Sequence, residues 1–430
     1  MITKIKDLRP CDEIIEIRGW VDKIRDLKAV TFIIVRDITG MAQVSIDKET
    51  MSDLLPKIEG LTHESAIIVK GKVIDSPKVK LGGVEILPTD IEVESIAEFI
   101  PISQDSSIDQ RLDYRWVDLR DPKKQLIFKV QTALVAGFRE YFIKSDFIEI
   151  HSPKITGSPS ESGASVFELK YFDEKAYLIQ SPQFYKQMAI TSGLERVFEI
   201  GPVFRAENSF TSKHTTEFTG VDIEMAHVES HEDVMRVEEE MLISGFTKVK
   251  QMYDKELKEM LGIDLIVPKA PFPRVTMDEI YDILFDEGYD IEIGEDLDSE
   301  AEKILSKYML DKYQTPFYFI TEFPTDLRCF YSMKIPSKPE RTYTFDLYYK
   351  GIEITSGARR EHRYEELKKN IEEKRLSTEQ LQYYLDFFKF GAPSHGGFGI
   401  GLDRLTMLLL DLPTIKEAMY IFRGPTRLKP

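Results

Sequence analysis

Cysteine is nearly absent: the 430 residues include only Cys11 and Cys329, far apart and without CxxC spacing. That excludes a disulfide framework and a cysteine-built zinc site, and it fits a reducing compartment. Long apolar runs are missing too. No segment reaches the roughly 18 apolar residues of a membrane-spanning helix, and the opening MITKIKDLRPCDEIIEIRGW has no continuous apolar stretch behind its lysines. The chain therefore reads as cytoplasmic, unprocessed and unattached to a membrane. Positive charge is in short supply, with 57 basic against 74 acidic residues and a net charge of −17. Indiscriminate coating of nucleic acid needs many lysine and arginine contacts to phosphates, so any nucleic-acid contact must be local. The first 102 residues hold 14 basic and 18 acidic side chains, so most of the excess acid lies downstream. Nine carboxylates and no base fall in residues 286–302, which reads as a solvated face.

What is present is an ordinary globular composition, 42% hydrophobic and 30% charged, long enough for two or three domains. Short β-branched runs crowd the first hundred residues: EIIEIRGWV, VTFIIVRD, MAQVSI, SAIIVKGKVI and GVEILPTDIEV. Five strands at that spacing predict a small β-barrel over 1–102, with the OB-fold as the natural candidate. Pro101 and the polar run SQDSSIDQ break the pattern, so 103–122 is expected to be a linker. From 123 to 144 the apolar residues Leu126, Ile127, Val130, Leu134, Val135, Phe138, Tyr141 and Phe142 recur at helical spacing. A short strand follows and stops at Pro153. Strands expected at 194–207 and 218–227 are neighbours in sequence, which favours an antiparallel sheet. The fold class is α+β, with a second domain over 123–430 that includes a small acidic helical insertion near 265–312.

Two segments carry chemistry. In GPVFRAENSFTSKHTTEFTGVDIEMA, residues 201–226, a strand places Arg205 and Glu207 on one face, a cation and a carboxylate able to grip a phosphate and an amino group together. Alone, the pair reads first as a surface salt bridge on a hairpin. In GAPSHGGFGIGLDRLTMLLLD, residues 391–411, glycines at 396, 397, 399 and 401 strip side chains from a strand that runs into a helix. A ligand could lie on that backbone, with Arg404 in the first helical turn where anions are favoured. Packing alone would also account for such glycines. Neither the GxGxxG nor the GxxxxGK[ST] phosphate pattern fits.

These segments, preceded by the helix and Pro153, resemble motifs 2, 3 and 1 of the class II aminoacyl-tRNA synthetases, with motif 1 near 123–153, motif 2 near 200–226 and motif 3 near 395–411. YLIQSPQFYKQMA (177–189), FRAENS with TEFTG, FDLYYKGIEITSGARREH (345–362) and HGGFGIGLDR are similar to the aspartyl branch of archaea and eukaryotes. The resemblance runs over essentially the whole chain. It implies an N-terminal OB-fold anticodon-binding barrel, a catalytic domain on an antiparallel sheet flanked by helices, and a homodimer joined through motif 1. It also implies a ligase that makes aspartyl-adenylate from L-aspartate and ATP, then charges tRNA-Asp, leaving open tRNA-Asn. No enzyme nucleophile is needed, in keeping with the lack of a Ser-His-Asp or Cys-His pattern. Such catalysis rests on positioning and charge stabilisation.

By position, the resemblance puts Arg205 on the α-phosphate, Glu207 on the adenine amino group, and Phe218 and Arg404 on the two adenine faces, with Arg404 also near the γ-phosphate. His214 falls near the pyrophosphate and Gly401 in the ATP site. Asp346, Glu353 and Ser356 match Mg²⁺ ligands. Lys186 and Arg360 match the two cations for the aspartate side chain, where asparagine is expected to leave both without an anion. Glu161, Ser181, Gln183 and Asp222 surround the α-ammonium, although the usual Glu-Gly-Gly of that loop reads Glu161-Ser162-Gly163 here. In the barrel, Arg25, Phe32, Gln43 and Glu85 match anticodon-reading positions. The rivals are an asparaginyl enzyme, against which QSPQ followed by Lys186 counts, and a non-catalytic OB-fold RNA-binding relative, against which the full set of motif residues counts.

Overall fold

The computed structural model describes residues 2–158, 165–209 and 211–430. Two compact units divide it, Met1–Val117 and Asp118–Pro430.

In the first unit, strands β1 (Cys11–Asp26), β2 (Val30–Asp37), β3 (Gly40–Asp47), β4 (Ala66–Asp75) and β5 (Val84–Ser95) close into a barrel of order β1-β2-β3-β5-β4. Period-two alternation sends Ile17, Val21, Ile33, Val35, Val44, Ile46 and Val69 inward, all fully buried. Gly19 is required where β1 passes close to the backbone of β2, since a Cβ there would lie 2.3 Å from the Arg36 carbonyl oxygen. Segment 103–122, expected to be a linker, carries a short helix. Ser107 and Gln110 form a reciprocal capping box that starts the helix Ile108–Asp113, so the unit boundary falls inside it.

In the second unit, helix α1 (Pro122–Lys144) begins where Asp121 accepts from the Lys123 amide and Pro122 supplies a ready-made helical φ. Its apolar stripe, Leu126 to Phe142, packs on α3 (His231–Glu256). The helices approach closely at two glycines: a Cβ on Gly137 would sit 2.7 Å from Gly245 Cα. Beneath them lies a sheet of β6 (Ile148–Glu149), β7 (Arg196–Phe204), β8 (Glu217–Ala226), β9 (Arg274–Thr276), β10 (Phe317–Thr321), β11 (Thr344–Tyr349), β12 (Ile352–Arg360) and β13 (His395–Gly401), in the order β9-β10-β11-β12-β13-β8-β7-β6. Only the outermost pairs, β9 with β10 and β6 with β7, are parallel. Helices α4 (Met277–Asp286) and α5 (Ser299–Tyr313) build a small core of their own against Tyr318, Ile320 and Tyr348. The carboxylates of the acidic stretch 286–302 are exposed apart from the half-buried Glu302. Among the described residues no helix is long and apolar enough to cross a membrane.

Candidate active site

Four strands and one helix start converge on a cavity. Helix α2 (Gln183–Thr191) packs against β8 and turns Gln183, Lys186 and Gln187, one helical face, inward. The β7–β8 hairpin supplies Arg205, Glu207, His214 and Phe218; β12 supplies Glu353 and Ser356; the β13 end supplies Gly401, and α6 (Leu402–Leu409) supplies Arg404 in its first turn. Ser181 and Asp222 line the same cavity. The two arginines thus face one space.

One local expectation is corrected. Strand β7 ends at Phe204, so Arg205 and Glu207 lie beyond it rather than alternating within it. Pairing across the hairpin closes with the Arg205 amide, which donates to Thr216 O, and the Ala206 amide beyond it donates to Ser165 O. The two side chains still meet, at 3.9 Å, and the Arg205 guanidinium stands 5.4 Å from the Phe218 ring centroid. Arg404 Nη1 donates to Glu353 O at 2.8 Å, which ties the motif 3 helix to β12. Burial, and secondarily the Arg404 charge, pulls the His214 imidazole below its ordinary pKa, while the Thr211 hydroxyl bonds its Nδ1. The glycine strand divides by cause. A Cβ on Gly397 would collide with Ile223 O at 2.0 Å and one on Gly396 with Ala358 O at 2.7 Å, so packing demands those two. Gly399 and Gly401 line the cavity.

Asp346 and Ser356 are directly opposed on β11 and β12. Glu353 is three residues from Ser356, an odd spacing that would send the two side chains to opposite faces of a regular strand. A register shift between Leu347 and Tyr348 inserts an extra residue on β12 and brings both to the cavity. Burial, then the Asp346 charge, pushes the Glu353 carboxyl up to about 7. Asp346 Oδ2 accepts from Arg328 at 2.5 Å, whereas its Oδ1 is buried with no hydrogen-bond partner among the described residues.

Deeper in, Lys186 donates to Asp222 Oδ1 at 2.9 Å and to Phe398 O at 3.0 Å, and its Nζ lies 3.6 Å from Glu224. Arg360 donates to Glu224 at 3.0 Å and to Gly397 O at 2.9 Å. The result is a buried ladder, Asp222–Lys186–Glu224–Arg360, with charges alternating. This corrects the expectation that an amide ligand would leave Lys186 and Arg360 without an anion, because each already holds a carboxylate. Gln183 is buried and donates to Gln187 Oε1 at 3.0 Å. Glu161, with Ser162 and Gly163, lies outside the described residues.

A family model for the class II tRNA synthetases (D, K and N) matches residues 107–422, and one for the OB-fold nucleic acid binding domain matches 15–94. The chain belongs to the class II tRNA synthetases. Among its relatives is the aspartate–tRNA(Asp) ligase of Pyrococcus abyssi, 44% identical over 97% of this chain and 96% of that one. The aspartate–tRNA(Asp/Asn) ligase of Methanopyrus kandleri is 43% identical over the same shares. Among solved structures, asparaginyl-tRNA synthetase from Pyrococcus horikoshii with asparaginyl-adenylate superposes with a TM-score of 0.89 at 32% identity, covering 97% of this chain and 96% of that chain.

In this synthetase the barrel carries a polar strip on its outer surface. Arg25 pairs with Phe32, Phe32 with Ser45, and Gln43 with Glu85 across β1, β2, β3 and β5. Neighbouring Ile33 and Val44 point into the core, so Phe32 is not barrel core. Gln43 and the Ser45 hydroxyl both donate to Glu85 Oε2, at 3.2 and 2.5 Å. Sequence reasoning missed Glu224, Arg328 and Lys213, the last of which lines the cavity beside His214. The first was findable: Asp222 and Glu224 are two apart in an apolar strand, hence on one face, and buried carboxylates require cations. Arg328 and Lys213 carry no such signal, since each enters from a loop.

Proposed function

We propose that this synthetase activates L-aspartate with ATP to aspartyl-adenylate and pyrophosphate, then transfers aspartate to the 3'-terminal adenosine of tRNA-Asp. The observation that carries the reading is the ladder Asp222–Lys186–Glu224–Arg360, which reaches through Asp222 a cavity holding Arg205 and Arg404.

In this reading the α-carboxylate of aspartate attacks the α-phosphorus in line, and the β-phosphate oxygen leaves with pyrophosphate. Arg205 holds the attacking carboxylate and the α-phosphate together, and its fork stabilises the charge that builds on the phosphorane. Phe218 stacks on adenine, and Glu207 accepts from the adenine amino group. Arg404 covers the other adenine face and reaches the γ-phosphate; His214 donates to the pyrophosphate. Asp346, Glu353 and Ser356 would hold Mg²⁺, a fit supported by hard oxygen donors on two neighbouring strands and by the unpartnered Asp346 Oδ1. Mg²⁺, when bound, neutralises the triphosphate.

Charge arithmetic on the ladder selects aspartate. Its ammonium group takes Asp222, which releases Lys186 to the substrate side-chain carboxylate, and every charge keeps a partner. Gln183 and Ser181 complete the ammonium pocket. Asparagine would take Asp222 with its ammonium but bring no side-chain anion, leaving Lys186 and Arg360 to share Glu224 alone, an excess buried positive charge costing several kcal/mol.

The outer barrel strip Arg25, Phe32, Gln43 and Glu85 reads anticodon bases by stacking and edge hydrogen bonds. A homodimer is supported by exposed Ile143 at the end of α1 and Ile148 on the edge strand β6. Cytoplasmic residence follows from the role in translation. The test is ATP–pyrophosphate exchange with each amino acid separately. Aspartate is expected to drive exchange, and exchange driven by asparagine instead would overturn the proposal. Charging of purified tRNA-Asn by the same preparation decides whether that tRNA is a second substrate.

A further inference from the structure

Beside Asp346 the structure holds a cation that the mechanism above leaves idle. Arg328 follows the short turn Thr325–Leu327, and its side chain is only 16% exposed. Its guanidinium lies 3.5 Å from the Phe323 ring centroid, with Nη2 donating to Asp346 Oδ2 at 2.5 Å and Nη1 to Ser356 Oγ at 3.3 Å. Arg328 is thus bonded to two of the three side chains assigned to Mg²⁺. Two atoms of this contact, Asp346 Oδ1 and Arg328 Nε, are buried with no hydrogen-bond partner among the described residues. Arg360, also buried, instead commits its Nε to Glu224 and its Nη2 to both Glu224 and Gly397 O.

An ion pair that keeps an orphan acceptor and an orphan donor is stable only relative to leaving Asp346 with no cation at all. A metal ion with a phosphate attached would satisfy both atoms, the metal at Asp346 and a phosphate oxygen at the guanidinium. We propose that Arg328 is a resident counter-cation of the metal site: it neutralises Asp346 in the nucleotide-free enzyme and yields it to the metal when a nucleoside triphosphate enters, turning to a phosphate oxygen. The proposal rests on the reading that Asp346, Glu353 and Ser356 hold Mg²⁺. A divalent ion arriving alone must displace a like charge already on Asp346, whereas one arriving with triphosphate brings an anion for the displaced arginine. Metal and nucleotide therefore bind with positive coupling.

The test is Mn²⁺ binding followed by electron paramagnetic resonance, with and without a non-hydrolysable ATP analogue, on the full-length chain, Arg328→Gln, Arg328→Lys and Asp346→Asn. The parent is expected to bind Mn²⁺ at least about tenfold tighter with the analogue, in the ordinary range of coupling between two ligands. Arg328→Gln is expected to raise nucleotide-free Mn²⁺ affinity by about tenfold and to shrink the coupling, while Arg328→Lys, which keeps the charge, stays near the parent. Nucleotide-free affinity in Arg328→Gln equal to or below that of the parent overturns the proposal. Should that variant fail to fold, the guanidinium ¹⁵N signal of the parent, assigned by its loss in Arg328→Lys, must shift when Mg²⁺ and analogue are added together but not with Mg²⁺ alone; an unmoved signal overturns it equally. Asp346→Asn separates the two levels. If it binds Mn²⁺ with analogue as the parent does, the metal assignment itself is wrong; if it loses binding while Arg328→Gln is unchanged, only the counter-cation role falls.

Discussion

Lys186 and Arg360 share one carboxylate: Glu224, fully buried, lies 3.6 Å from Lys186 Nζ and 3.0 Å from Arg360 Nε. Both cations hold Glu224 well below the usual carboxylate range against the opposing effect of burial. The proposed amino-acid specificity is therefore a rearrangement within a balanced set of charges rather than the filling of an empty cationic pocket.

Arg360→Leu is expected to abolish aspartate-dependent pyrophosphate exchange while ATP affinity stays within about threefold of the parent. The substitution also leaves Glu224 with Lys186 alone, so a loss of about 3 kcal/mol in stability should accompany it. Exchange rates for both proteins, with equilibrium ATP binding and a denaturant titration, check this. Aspartate activation at the parental rate in Arg360→Leu would remove the specificity argument.

Phe218→Leu is expected to raise the KM for ATP about tenfold with little change in the KM for aspartate, since stacking of one base is worth about 1–3 kcal/mol. The split between the two KM values is the measurement. A change confined to aspartate would move Phe218 out of the adenine site.

Phe32→Ala acts on the other unit and should separate the two half-reactions. Pyrophosphate exchange is expected to match the parent, while kcat/KM for tRNA charging falls by about tenfold or more through the lost base stack. Equal charging by the two proteins would mean that Phe32 reads no base.

Glu238 lies fully buried on α3, and neither carboxylate oxygen has a hydrogen-bond partner among the described residues. Burial above all pushes its pKa up to about 8. Between its ordinary value near 4.5 and 8, the folded chain binds the proton and the unfolded chain does not, so this group's contribution to stability falls as pH rises through that window. Glu238→Gln is expected to narrow the difference in Tm between pH 6 and pH 9. An unchanged difference would show that Glu238 is not protonated in the folded state.

Gly137→Ala should cost about 1–3 kcal/mol, because the added methyl meets the backbone of α3, which cannot move aside as a flexible side chain would. Chemical denaturation reads the loss directly. Parental stability would mean that α1 and α3 separate freely.

How much was legible beforehand depends on the range of the interactions involved. Alternating strands from Cys11 to Ser95 and the apolar stripe of α1 were readable because strand and helix periods are local properties of the chain. So were the glycine strand and Arg404 in the following helix turn, as residue types at fixed spacing, while the paired carboxylates Asp346 and Glu353 came from the family resemblance. Tertiary structure alone decided the rest. The bulge on β12 brings Glu353 and Ser356 to one side despite their odd separation, and no residue pattern announces such a shift of register. Arg328, eighteen residues before Asp346 and in no regular element, reaches it only because the chain folds back over Phe323. Likewise Lys186, Glu224 and Arg360 come from a helix and two strands far apart in the chain, and their pairing is set by how α2 packs on β8 and how β12 and β13 align. Sequence by itself determined which chemical groups exist and, where a strand or helix period runs unbroken, on which face they lie; which charge ends beside which, and hence what each is free to bind, depends on long-range contacts formed only in the folded chain.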